Sequence, residues 1–401
     1  MITPPAAPLT HRPIVFLTAL AAVNWFGFAA WNALLNNFAK EQAGFDGLAM
    51  GLLQSIREVP GLLAVSALLF LLIMREQTLA YVSLVLLGIG VAATGYFPSI
   101  HGLWVTTLIM SVGFHYYETM AQSLTLQLFS KQEAPKVLGR LSAVTAASQF
   151  VAFGGIALIW WAIRPSYQSV FLVTGGLCIV GALVAIAIFP RFEGPVPQRK
   201  SMVMRQRYWL YYALTFMTGS RRQIFTAFGA FLLVEKFGFG VAEISILMLA
   251  TYSINTVVGP RLGHLINRIG ERRTIMIENI SLILVFAGYA LSDQSWIAAI
   301  CYVADGVFFT FTIAQRTYFQ KIADPADIAP TAGVAFTISH IAAVFIPVLF
   351  GMIWLKNPSL VFLIGAALAT VSLTFAFLVP RNPEPGHETV LSPARRPAVA
   401  E

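Results

Sequence analysis

The stretch WLYYALTFMTGSRRQIFTAFGAFLLVE, residues 209–235, is long and apolar enough to cross a lipid bilayer, yet it carries Arg221 and Arg222 near its middle. A spanning helix needs about 20 mainly apolar residues, and an arginine at its centre costs about 2.5–3.5 kcal/mol on insertion scales. Two adjacent arginines at that depth require protein or water around them instead of lipid. This one segment therefore implies a bundle of membrane helices whose interior calls for positive charge. The first half of the chain offers acids to match, Glu58 and Glu118, at comparable depth in their own apolar runs.

Composition agrees. With 57% hydrophobic and 11% charged residues and a mean hydropathy of +0.74, the chain has too few polar side chains to coat a soluble globule of 401 residues. The formal charge of +8 elsewhere suggests a nucleic-acid partner, but here the lysines and arginines lie between apolar runs, where they act as topology signals. No nucleic-acid partner is expected. Cys178 and Cys301 each sit inside an apolar run, which suggests neither a disulfide framework nor a thiolate metal site. Residues 1–13 are short and nearly uncharged, and no small-residue cleavage pattern follows the next apolar run, so a retained helix is expected over a removed signal peptide.

Working outward from residue 209, twelve apolar runs can be cut at polar or Pro/Gly-containing breaks: 14–38, 47–74, 78–97, 102–129, 137–163, 167–189, 209–234, 241–266, 274–291, 296–319, 330–355 and 359–379. Residues 190–207 form a basic linker with three prolines between the sixth and seventh runs. The expected organisation is a tail over 1–13, a bundle over 14–189, the linker over 190–207, a second bundle over 208–380 and a disordered tail over 381–401. Placing both termini in the cytoplasm puts eighteen of the 26 lysines and arginines on that side, with only Lys40, Arg164, Lys236 and Lys356 opposite. That asymmetry selects the orientation.

A weak internal repeat joins the halves. Ala121-Gln122 followed by Gln127 recurs as Ala314-Gln315 followed by Gln320, and Gly44-Phe45 recurs as Gly238-Phe239, at offsets of 193 and 194 residues. The shared offset, with six runs on each side of a basic linker, predicts two parallel six-helix halves, a transporter architecture. The fold class expected is an all-α polytopic membrane protein of twelve transmembrane helices in two pseudo-symmetric six-helix bundles.

With Gly263-His264-Leu265-Ile266-Asn267-Arg268-Ile269-Gly270-Glu271-Arg272 between the eighth and ninth runs, the chain resembles the major facilitator superfamily over residues 14–379. That family carries the signature Gly-x-Leu-x-Asp-Arg-x-Gly-Arg-Arg/Lys between helices two and three, often echoed between eight and nine. Asn267 stands where the signature has Asp, and the loop Met74-Arg75-Glu76-Gln77-Thr78 lacks it. The resemblance implies a gating role, latching the cytoplasmic face, for Arg268 and Asn267. It also implies that helices one, two, four, five, seven, eight and eleven largely surround a central cavity. The fifth run holds Phe153-Gly154-Gly155-Ile156 without an internal proline, unlike the Gly-Pro motif of the family's drug/proton antiporters.

Polar residues in the runs supply the candidate site. Gln54, Arg57 and Glu58 share one helix surface in the second run, beside Pro60-Gly61, which removes a backbone donor and loosens the helix. In the fourth run His115, Glu118 and Gln122 fall on one face, with Tyr116 and Tyr117 to either side. Candidate substrate contacts are Asn24, Trp25, Gln54, Arg57, Tyr116, Tyr117, Gln149, Arg221, Arg222, Tyr252, Asn255 and His340. The plain alternative for each is a packing residue or a structural ion pair. Only one of Arg221 and Arg222 can point straight into a cavity, because neighbours on a helix are about 100° apart. The other is expected to pair with Glu58 or Glu118. Glu118, with His115 one turn back, and Glu58 are candidates for proton coupling. Arg57 beside Glu58 makes that acid the better candidate for a permanent pair. Asp305, in the outer half of the tenth run, is a candidate gate, and Arg261 and Glu278 are expected to serve structure near the cytoplasmic face.

No nucleotide-binding signature occurs, the histidines are scattered without metal-ligand spacing, and neither cofactor nor metal is expected. The function expected is secondary active transport of a small, polar or anionic organic solute by alternating access, coupled to protons. Such a protein would act as a monomer in the plasma membrane, the inner membrane in a bacterium. A membrane-embedded enzyme using Glu118 and His115 and a non-transporting sensor stand as alternatives.

Overall fold

A computed structural model describes residues 12–63, 66–129, 134–192, 204–324 and 327–392. Parts of the tails and linker, residues 1–11, 193–203 and 393–401, lie outside the described residues. Lipid offers the backbone no hydrogen-bond partners, so a spanning chain must satisfy its amides within helices. Each apolar run read from the sequence carries helix: α1 Pro13–Ala43, α2 Gly47–Leu62 with α3 Ala67–Phe70, α4 Glu76–Thr94, α5 Ile100–Leu128, α6 Ala134–Ile163, α7 Tyr167–Ile188, α8 Trp209–Ile224 with α9 Ala230–Phe237, α10 Val241–Ile269, α11 Glu271–Leu291, α12 Ser295–Phe308 with α13 Ile313–Ile322, α14 Ile328–Trp354 and α15 Pro358–Leu378. Among the described residues nine helices are long and apolar enough to cross a membrane. The runs outside that group are the second, fourth and seventh, whose helices are broken or polar and which carry Arg57, Glu118 and Arg221.

Local chemistry explains the ends. The Ser99 hydroxyl accepts from Gly102 N at the start of α5, and Asn357 accepts from Ser359 N at the start of α15. Gly44 after α1 and Gly238 after α9 adopt left-handed φ values of 66° and 69°, a conformation that L side chains resist. The repeated Gly-Phe pair is thus the same helix stop used twice.

The chain forms two compact units. The first comprises Met1–Phe45, Ile56–Arg199 and Phe239–Leu249. Here α4 packs on α5 and α7, and α1 on α6 and α7. A Cβ on Gly113 would lie 2.4 Å from the Ser83 carbonyl oxygen, so glycine permits the α4–α5 approach. The core gathers Phe16, Leu20, Leu84, Tyr117 and Met120. The Gln77 amide holds the linker's first residues, donating to Pro190 O (3.0 Å) and accepting from Phe192 N (3.0 Å).

The second unit comprises Asp46–Ser55, Lys200–Gly238 and Ala250–Glu401. Its main pairs are α11 with α15, and α8 with α14 and α15, around Tyr208, Tyr211, Phe319 and Ile322. The halves expected from sequence are contiguous. The observed units instead exchange the starts of α2 and α10. Gly51 fits against the Pro347 carbonyl oxygen, where a Cβ would come within 2.2 Å, and this close seat ties the start of α2 into the second unit. In the first unit, Asn37 Nδ2 donates to Phe239 O at 2.7 Å.

The linker's far end is also pinned. Arg205 forms a two-pronged pair with Asp327, and Arg207 pairs with Asp324. The Tyr208 hydroxyl donates to Asp327 Oδ2 at 2.9 Å. Residues 380–392 depart from the expected disordered tail: Val390 N bonds Leu378 O (2.9 Å), Tyr318 donates to the Glu388 carbonyl, and Glu388 and Thr389 are buried.

Candidate functional site

The first unit builds its cluster from α1 and α5. Asn24 is fully buried and its Nδ2 donates to Glu118 Oε1 at 3.1 Å. The Trp25 indole lies beside the same carboxyl group, set by edge contacts with Phe28 and Phe114. Glu118 itself is only partly buried, and among the described residues no cation pairs with it. Beside this group, Arg57 and Glu58 of α2 form a buried ion pair, with the Arg57 guanidinium 5.9 Å from the Phe28 ring centre. The Ser111 hydroxyl donates to the Arg57 carbonyl, which ties α5 to α2 just before Pro60.

The second unit builds a different cluster. Arg221 of α8 is 3% exposed, and its guanidinium donates to Asn279 Oδ1 (2.6 Å), Glu278 Oε1 (3.3 Å) and Thr218 Oγ1 (3.0 Å). Glu278 of α11 is 0% exposed and Asp305 of α12 is 3% exposed. Asp305 lies within electrostatic reach of Arg221. The Gln315 amide donates to Thr218 Oγ1 at 2.7 Å and lies near Glu278. One oxygen of each acid, Glu278 Oε2 and Asp305 Oδ2, is buried without a hydrogen-bond partner. Glu278 is thus paired with the guanidinium, and Asp305 is a second buried carboxyl within its field.

Both helices that meet here lose regularity beside the charge. After Arg222 and Gln223 the chain passes through the π segment Phe225–Gly229, and after α12 it tightens into the 3₁₀ turn Phe309–Thr312. Such breaks inside membrane helices are tolerated where protein surrounds them, and π segments recur at functional sites.

The adjacent arginines part company. Arg221 is committed to the buried network, while Arg222 is exposed and lies over Phe309, 5.4 Å from the ring centre. The expected acidic partner, Glu58 or Glu118, is replaced by Glu278, which is fully buried. Asp305, the candidate gate, is buried and within electrostatic reach of Arg221. Sequence reasoning missed Asn279 and Thr218 as well; the signal for this group is an acid inside an apolar helix opposite an arginine in another.

Among the other candidates, ligating atoms of Glu58 and His115 lie within 4.8 Å of one another. Tyr116 shares a hydrogen bond with Ser66 (2.6 Å), and Tyr117 is in the core of the first unit. His115 stands edge-on to Phe114, and Gln122 is exposed, so the expected common face of α5 is divided. Gln54 is buried, with Nε2 3.9 Å from Met50 Sδ. Gln149 is buried in α6. Asn255 Nδ2 donates to Gly306 O at 3.1 Å, and Tyr252 is half-buried one turn before it. His340 stacks on Phe336 with ring centres 4.0 Å apart. Arg261 bonds its own helix at Val257 O. Asn267 and Arg268 are exposed at the end of α10.

A sequence model of the Major Facilitator Superfamily matches residues 14–347, and again 209–400. The chain belongs to this superfamily. The second match starts where the seventh run does, in keeping with the internal repeat. Solved structures similar to this major facilitator chain include the nucleoside transporter NupG, 16% identical with a TM-score of 0.71, covering 91% of this chain and 98% of that one. A bacterial homolog of the human lysosomal transporter Spinster, inward-facing and occupied, is 14% identical with a TM-score of 0.72, covering 92% and 96%. An auto-inhibited peptide transporter of the POT family is 10% identical with a TM-score of 0.71, covering 91% and 96%. At such identities the likeness is one of fold, a transporter fold in each case. None of the curated proteins compared with the chain matches it in sequence.

Proposed function

We propose that this chain is a secondary active transporter that moves a small polar or anionic organic solute by alternating access, coupled to protons, with both termini cytoplasmic. The superfamily and its transporter fold favour this reading over an embedded enzyme or a sensor. The observation that carries the coupling is Glu118, held by the neutral donor Asn24 beside the Trp25 indole, with no cation paired to it among the described residues. A carboxyl group without a cation is costly to carry through a membrane in its charged form, and a proton removes that cost. Neutral N–H donors bond the acid in either charge state, so the proton can come and go without dismantling the site. Arg222, exposed beside the buried network, is the candidate for selecting anionic solutes, since a guanidinium grips carboxylate or phosphate through two parallel hydrogen bonds.

The test is Glu118→Gln in proteoliposomes, with a ligand first found by thermal-shift screening of carboxylates, phosphates, nucleosides and neutral sugars. Gln copies the protonated acid. Binding and solute exchange should persist while uphill transport driven by a pH gradient is lost. Uphill transport that survives at wild-type rate would remove Glu118 from the coupling role.

A further inference from the structure

One charged cavity lies apart from the acids and arginine discussed so far, though it includes the latch candidates Asn267 and Arg268. Where α10 ends and α11 begins, a cavity of about 660 Å³ is lined by Arg268, Arg272, Arg273, Lys321 and Arg381, with Phe377 on its apolar side. Glu271 is the one carboxylate in that lining. It is 1% exposed and already bonded to Lys321 Nζ at 2.7 Å. Five cations against one acid leave a net charge of +4 (5 − 1) in the lining. None of the four arginines has an ion pair among the described residues.

Basic residues at helix ends are common topology signals, so charge alone decides little. This cavity is a built site for two further reasons. The segment 380–392 is folded back and anchored by Tyr318 on the Glu388 carbonyl and by Val390 on Leu378, which brings Arg381 to the cavity. Asn267 also lines it, and stands where the superfamily signature carries an acid; an amide leaves the neighbouring arginines without that internal counter-ion and adds a donor. The amino end of α11 opens on the same space without a side-chain cap, adding its partial positive charge. Phe377 is 47% exposed beside the arginines, and the Arg272 guanidinium lies 5.9 Å from its ring centre.

We infer that this cavity binds a phosphate group presented at the membrane face, carried either by an anionic phospholipid or by a small soluble phosphate. Convergent guanidiniums match phosphate oxygens in geometry and charge. Basic pockets between membrane helices hold lipid head groups in the same way. The site shares no residue with the Arg221 network, and phosphate binding there does not require the proposed proton coupling at Glu118.

The experiment uses the full chain. In nanodiscs of phosphatidylcholine with or without phosphatidylglycerol, native mass spectrometry reads retained lipid and melting reads stabilisation; in detergent, inorganic phosphate and pyrophosphate are titrated by thermal shift. The wild type should retain phosphatidylglycerol over phosphatidylcholine, or be stabilised by the soluble phosphates. The first result names a lipid head group and the second a soluble ligand. Arg272→Gln with Arg381→Gln should weaken whichever binding is seen by about tenfold or more. Arg381→Gln alone, at an exposed position, should weaken it in a protein whose melting in phosphatidylcholine is unchanged. Arg12→Gln, a basic residue elsewhere, should leave it intact. Equal loss in Arg12→Gln, no loss in the double variant, or no response to any of the three probes would overturn the inference.

Discussion

In the first unit Glu118 meets an amide beside an indole, whereas in the second unit Glu278 pairs with the guanidinium of Arg221 and Asp305 lies within its electrostatic reach. Both arrangements place acids inside a membrane bundle, and they differ in what a proton does to them. Adding one to Glu118 leaves its hydrogen bond available, because Asn24 donates to a neutral acid as well as to a carboxylate. Adding one to Glu278 takes the charge out of its pair with Arg221. The first design suits an acid that changes charge during work, and the second suits one that holds two helices, α8 and α11, together. Asp305 is the excess acid of the second group.

The largest effect should come from breaking the second cluster. Arg221→Ala leaves Glu278 and Asp305 buried without a cation, and removing one partner of a buried pair costs about 3–5 kcal/mol. Folded protein recovered from membranes should fall sharply, and Glu278→Gln added to it should restore part of the yield. Arg221→Ala with wild-type yield and melting would show that the network is not the brace described here.

The neighbouring residue sharpens the contrast. Arg222→Ala should leave melting in detergent unchanged but weaken an anionic ligand by about 10- to 100-fold, the range of a lost hydrogen bond to a charged group. Neutral ligands should bind as before. Anionic and neutral ligands weakened alike would point to a structural role for both arginines.

A smaller effect tests the ion pairs outside the membrane, where the second unit holds its linker. Hydrogen bonding from Arg205 first, and from Tyr208 and Arg207, keeps the Asp327 carboxyl below its ordinary range, and Asp327 precedes the spanning stretch Val334–Trp354. A depressed value means that stability is contributed above the ordinary carboxylate range, near pH 4, and is lost as pH falls through the value in the folded protein. Melting scans from pH 7 downwards should show an acid-side loss that is reduced in Asp327→Asn. An unchanged acid limb in that variant would assign the loss to other acids.

The smallest effect belongs to what the units share. Gly44→Ala and Gly238→Ala each force a side chain into the left-handed region, at about 1 kcal/mol, and nothing lies within 4 Å of an added Cβ at either site. Equal, small losses in melting temperature would confirm two equivalent helix stops, and a loss confined to one would break the equivalence.

Sequence alone determined that this chain is a bundle of membrane helices, where they run and that the pattern repeats. The physical reason is that lipid leaves the backbone one local solution, so runs of apolar residues bounded by Gly44, Pro190 or Gly238 are read directly as helices and their ends. The polar interior was legible as a list of residues, Glu118 and Arg221 foremost, because charge in an apolar run has to be accounted for. Which group answers which was not legible. Arg221 finds Glu278 and Asn279 on another helix, and Arg222, one residue along and about 100° around the helix, leaves that network for Phe309. The fold-back of 380–392, the exchange of the starts of α2 and α10, and the gathering of Arg272 and Arg381 at one cavity were likewise decided by tertiary structure. Each depends on side chains far apart in sequence, whose distances no local periodicity records.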